Sequence, residues 1–220
     1  ITSYYLKIIF TETDGRLIGT NIEPCCSTSK TFTITNKSNE TYKYNIVIQD
    51  LINTFVTEGY LGYKITSNNG GYNMEDYKDV PKSETAKDTV LAYSASIDVG
   101  VTQTYTVEFV YANDENVNQN VDQNKVLSGK LFITEGTEEP SLYNRILADN
   151  PTRDTRTDFN TNYTEENTNT LFTSTESING STPEDVNYFA RQPQKHWVKF
   201  GGFYWRIIRT NYDKSIRLLY

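Results

Sequence analysis

Histidine, cysteine, basic charge and long apolar runs are all scarce in this chain, and each scarcity removes a class of function. There is one histidine, His196, which supplies neither a multi-histidine zinc centre nor an oriented base beside a nucleophile. It reads as a surface residue at a strand edge. No GxSxG, HExxH, P-loop or dinucleotide fingerprint occurs, so an ordinary hydrolase or nucleotide enzyme is not expected. The two cysteines, Cys25 and Cys26, are neighbours, so no long-range intrachain disulfide staples the fold. Two reduced thiols are the expectation, with a strained vicinal bond or an intermolecular bond as the alternatives. No run approaches the roughly 20 apolar residues of a membrane span, and no signal peptide is present. Because the chain begins at Ile1 rather than Met, an upstream signal or anchor is expected to have been removed, and only that anchor would tie it to a membrane. Lys and Arg total 21 against 28 acids, for a net charge of −7. That excess argues against nucleic acid or anionic lipid as the main partner.

Tyrosine and phenylalanine are plentiful, at 17 and 10. Asn, Thr and Ser are abundant too, and mean hydropathy is −0.61. This is the composition of a polar, extracellular β protein. Residues 4–10, YYLKIIF, have strong strand propensity. Phe32 and Ile34 alternate with Thr in 29–36, and Tyr42, Tyr44, Ile46 and Ile48 alternate with Lys43, Asn45, Val47 and Gln49. With a polar turn at 36–40 between them, residues 29–51 read as a hairpin. Residues 60–66 form the next strand, ending at an Asn-Asn-Gly-Gly turn. The charged stretch 74–89 reads as an exposed connection. Strands over 90–99, 102–111 and 126–134 close the set, with Tyr105, Val107, Phe109 and Tyr111 inward. The spacing predicts an immunoglobulin-like antiparallel β-sandwich over 1–136.

An acidic Gly/Pro-flanked linker is expected at 137–140. A β-rich C-terminal module then spans 141–220, opening with one short helix over 141–149 capped by Ser141. Residues 152–181 read as extended and loop-rich, with short strands near 170–172 and 188–190. The last stretch, WVKFGGFYWRIIRTNYDKSIRLLY from Trp197, reads as a hairpin of runs 198–209 and 215–220 split by the turn at 211–214. It is expected to open a domain that continues past Tyr220. Alternation puts Phe203 and Trp205 in the core and leaves Tyr204 and Arg206 outside, where with Trp197 they form a candidate glycan-stacking surface.

No catalytic residue or bound cofactor is expected. The polar loop 113–125 offers Asp114, Glu115 and Asp122 as candidate calcium ligands, hard oxygens whose spacing is not that of an EF-hand. Asp149, Asp154 and Asp158 are a second such set. Lys7 or Lys30 on a strand is a candidate for an intramolecular isopeptide bond with Asn.

The run RILADNPTRDTRTD at 145–158, the pair Tyr188-Phe189, and HWVKFGGFYWRIIRTNYDKSIRLLY from His196 together resemble a module found in large secreted or surface-anchored proteins of low-GC Gram-positive gut bacteria. That resemblance implies a location outside the cell, and a hairpin that opens a longer domain of a C-type-lectin-like kind. Residues 1–136 are similar to the β-sandwich of camelysin-type biofilm fibre subunits. They share a strand, a Pro-containing loop, a TFTITNKSNE segment and a late closing strand after a polar stretch. Neither resemblance carries catalytic residues. The expected role is an extracellular, cell-surface stalk or adhesive unit that binds a glycan or a host or neighbouring-cell protein. A filament subunit self-assembled by N-terminal strand addition is the alternative, and a glycan-active enzyme using paired carboxylates is a third.

Overall fold

A computed structural model describes residues 8–12, 17–20, 24, 26–157, 170–177, 182–191, 193 and 195–220. The chain is mainly β, with antiparallel sheets and one short α-helix. It divides into two compact units, Ile1–Glu139 and Pro140–Tyr220.

Unit 1 is a two-sheet sandwich. One sheet runs β1 (Ile8–Glu12), β3 (Cys26–Asn36), β8 (Thr102–Tyr111), β5 (Leu61–Ser67) and β6 (Lys78–Asp79). The other runs β2 (Leu17–Thr20), β9 (Val126–Glu135), β4 (Tyr42–Asn53) and β7 (Ser83–Ile97). Successive strands cross from sheet to sheet except β5 and β6, which pair with each other, and the last strand lies between β2 and β4. Taken from β2 to β9, this is the double Greek key of an eight-stranded jelly roll. Strict alternation builds the core: Tyr105, Val107, Phe109 and Tyr111 of β8 face Tyr44, Ile46 and Ile48 of β4, with Phe32 and Ile34 of β3 beside them.

Residues 29–51 do not form a hairpin. β3 pairs with β1 and β8, whereas β4 pairs with β7 and β9, so residues 37–41 arch between the sheets. Buried Asn36 makes the arch: its amide nitrogen donates to the carbonyls of Glu40 and Ile97, and its oxygen accepts from the Ser38 backbone and hydroxyl. The supposed outer face of β4 is also partly covered. Asn45 is buried because its side chain holds Glu135 and Thr137 and accepts from the Ser94 N–H. The first unit therefore stays tied down through Thr137, beyond the last strand residue. Strand β7 begins at Ser83, inside the stretch expected to be a loop. Its first half belongs to an edge strand wetted on both faces, so no apolar alternation announces it.

The second unit carries α1 (Leu142–Asp149), whose Ser141 cap accepts the Asn144 N–H as expected. Five strands follow: β10 (Leu171–Glu176), β11 (Glu184–Phe189), β12 (Trp197–Phe200), β13 (Phe203–Thr210) and β14 (Ile216–Leu219). β13 is the hub, pairing with β11, β12 and β14. Ile146, Leu171 and Ile207 form a small core, against which Leu142, Val198, Ile216 and Leu218 pack. Among the described residues, no helix is long and apolar enough to cross a membrane.

Candidate functional site

The run 198–209 is two strands rather than one. Gly201 and Gly202 turn the chain with φ of 61° and 81°, values that side chains with a Cβ resist. The resulting β12–β13 register sets Trp197 opposite Arg206 and Lys199 opposite Tyr204. Leu219 on β14 lies opposite Arg206, and Arg217 falls on the same face two residues earlier. The other face of these strands carries Val198, Ile207 and Leu218 into the core. Alternation therefore gathers Trp197, Lys199, Tyr204, Arg206, Arg217 and Leu219 on one outward surface, and Trp197 and Tyr204 are each 55% exposed.

Rings and cations interleave on this surface. The Arg206 guanidinium lies 6.0 Å from the Trp197 ring centre, and the Lys199 ammonium 5.9 Å from that of Tyr204. Cross-strand diagonals in an antiparallel pair are about 7–8 Å apart, so the two rings are close enough to share one extended ligand. Chemically, the arrangement presents flat π faces for apolar sugar faces and unspent donors for oxygens.

Two neighbours differ from expectation. Phe203 is 53% exposed rather than in the core, because the core ends at Ile207 and Val198 while the hairpin continues past it. There Phe203 and Trp205 pack on the Tyr220 ring, at 5.5 and 5.3 Å. His196 is buried, at 6% exposure, rather than on the surface. It packs between the Phe189 and Trp197 rings, and its Nε2 accepts from Arg206 Nε at 3.4 Å. Burial and the Arg206 charge hold its pKa below the ordinary value, against the Pro193 carbonyl, which favours the charged form. The histidine therefore orients Arg206, a role that spacing in sequence does not reveal because it depends on the β12–β13 register.

The candidate calcium ligands do not converge. Asp122 is buried, and its carboxylate accepts from the backbone of Val56 and Thr57 and from the Tyr111 hydroxyl. Burial opposes its charge, but hydrogen bonds from Thr57, Val56 and Tyr111 outweigh that and hold the pKa below the usual carboxylate range. Asp114 accepts from Asn116 and from the Tyr60 hydroxyl, which lower its pKa. Glu115 is exposed. Asp122 and Asp114 fasten loops to the sandwich. Among the described residues, no cluster of three or more His, Cys, Asp or Glu forms. Asp154 makes a backbone bridge to Phe172, Asp149 ends α1, and Asp158 lies outside the described residues. Lys30 is half-buried on β3 and Cys26 is exposed at its start, whereas Lys7 and Cys25 lie outside the described residues. A cleft of about 280 Å³ in unit 1 is lined by Asn53, Phe55, Val56, Lys82 and Glu84, with both charged groups exposed.

No family model and no curated protein matches this chain. One solved structure, described as "AvmM Catalyzes Macrocyclization in Alchivemycin A Biosynthesis", aligns over 59% of this chain and 92% of its own at 10% identity. Its TM-score of 0.27 is too low for that likeness to bear on function.

Proposed function

We propose that this chain is an extracellular, cell-surface protein without catalytic activity, whose second unit holds a glycan on the outward face of β12–β14. The observation that carries the reading is the exposed, interleaved set of Trp197, Lys199, Tyr204 and Arg206. Exposed aromatic rings beside unengaged donors are what a sugar-binding surface needs, because stacking and hydrogen bonding act together there. Unit 1 serves as the stalk. Its polar, β-rich composition and the resemblance to surface modules and fibre subunits support the location. A glycan array probed with the whole chain tests the binding, and antibody labelling of intact cells tests the location. Silence on every glycan refutes the first, and label confined to permeabilised cells refutes the second.

A second reading, filament assembly by strand addition, draws on β1. This N-terminal strand lies on a sheet edge, with Ile8 to Glu12 paired to Asn36 to Phe32 of β3. In a polymer the same strand would pair with the next subunit's β3. Deleting residues 1–12 separates the cases: lost assembly with an intact fold favours the filament, and a lost fold sinks it.

A further inference from the structure

Charge is unevenly distributed along the chain. Unit 1 has eleven basic and nineteen acidic residues, while unit 2 has ten and nine. Within unit 2, residues 195–220 hold six Lys or Arg and a single acid, Asp213, a local net charge of +5 in a protein of −7. Three of those cations, Lys199, Arg206 and Arg217, lie on the face that carries Trp197 and Tyr204. Arg209 is engaged by Glu176 at 2.7 Å. Arg206 is held at Nε by His196, and no acceptor among the described residues takes its two terminal nitrogens. Among the described residues Lys199 meets the Tyr204 ring alone. A preset guanidinium fork beside an exposed indole is fitted to a planar carboxylate on a flat ring.

Resting on the glycan reading above, we propose that the ligand is an acidic polysaccharide. A uronic-acid pyranose stacks on Trp197 or Tyr204, with its carboxylate taken by the terminal nitrogens of Arg206 and by Lys199. Charge density favours this ligand over other polyanions. Duplex DNA carries a charge about every 1.7 Å, and a bilayer presents a charged plane, so both call for more cations than the three on this face. A sugar chain with one carboxylate per one or two rings places that charge within a Debye length, about 8 Å at physiological salt, of the local cations.

The test is calorimetric titration of the whole chain at 150 mM NaCl. The probes are an oligogalacturonate, the neutral galacto-oligosaccharide of equal length, a sulfated one, phosphatidylserine vesicles and a single-stranded oligonucleotide. The oligogalacturonate is expected to bind at least about tenfold more tightly than the neutral sugar and to weaken as salt rises. Arg206→Ala and, at the exposed Lys199, Lys199→Gln are each expected to lower its affinity about tenfold, the scale of a lost charge-assisted hydrogen bond. Arg206→Lys recovers only part of it, and in all three variants the neutral sugar loses less affinity than the oligogalacturonate does. Equal affinity for acidic and neutral sugars overturns the acidic assignment while leaving the glycan reading standing. Absence of both overturns both, a preference for sulfate overturns the carboxylate, and tighter binding of vesicles or oligonucleotide overturns the ligand class. Should Arg206→Ala not fold, as near-ultraviolet circular dichroism would reveal, the Lys199→Gln arm decides alone.

Discussion

Tyr44 shows how much a single polar atom governs in the unit 1 core. It is fully buried, and its hydroxyl lies 2.5 Å from both the Tyr105 hydroxyl and the Gln103 side-chain oxygen. Gln103 is held in turn by the carbonyls of Ser96 and Asn69, so every member has a partner. Burial, then the Tyr105 hydrogen bond, raises the Tyr44 pKa far above the ordinary tyrosine value, so the Tyr44 hydroxyl stays neutral at any physiological pH. Tyr44→Phe removes the close partner of the Gln103 oxygen and of the Tyr105 hydroxyl, and is expected to lower unit 1 stability by about 1–3 kcal/mol in urea denaturation. His196 behaves differently. Its pKa is lowered, so its neutral form contributes stability above about pH 6.5, which is lost as pH falls through the lower folded value. Protonation would also set a donor against Arg206 Nε. The unit 2 melting transition is expected to fall between pH 7 and pH 5, and His196→Gln, which keeps an acceptor, is expected to flatten that dependence.

Among the strands, β4 and β9 are coupled through a glycine. β4 bulges at Asp50, where φ is 53°, and Gly129 of β9 fits against the bulge. A Cβ on Gly129 would lie 2.2 Å from Ile48 Cγ2. Gly129→Ala is therefore expected to cost about 1–3 kcal/mol through overpacking, read as a lower denaturation midpoint with an unchanged slope. Such a constraint cannot be read from sequence, because it depends on which strand lies opposite. What could be read was alternation where one face is wet: β8 and the inner residues of β3 follow it residue by residue. Asn36 and Asn45 look like turn and surface residues, yet both are buried, since each exchanges water for several backbone partners. The same alternation assigns Tyr204 and Arg206 outward, whereas Trp197 is grouped with them in sequence only as a neighbouring ring and reaches their face through the turn at Gly201 and Gly202. Lys199, Arg217 and Leu219 join them only once the register is known, and Phe203 escaped the core because alternation says which face is inward but not where the covering layer stops.

At the scale of the chain, the two units have separate cores of unequal size. Twenty-two buried hydrophobic residues form the cluster of unit 1, against three in unit 2 among the described residues. Buried apolar area is the main source of stability, so calorimetry is expected to resolve two transitions with unit 2 melting first. Ile207→Ala should lower only that first transition. The jelly-roll wiring also dictates an order of events. β9 fills the middle of its sheet between β2 and β4, and β8 fills the middle of the other between β3 and β5. Neither sheet can be completed until residues 102–135 have been made, so an emerging chain holds open, aromatic strand edges for most of its synthesis. Contacts this distant in sequence predict folding on the millisecond-to-second scale, with Tyr111 fluorescence and the Asp122 clamp among the last signals to mature.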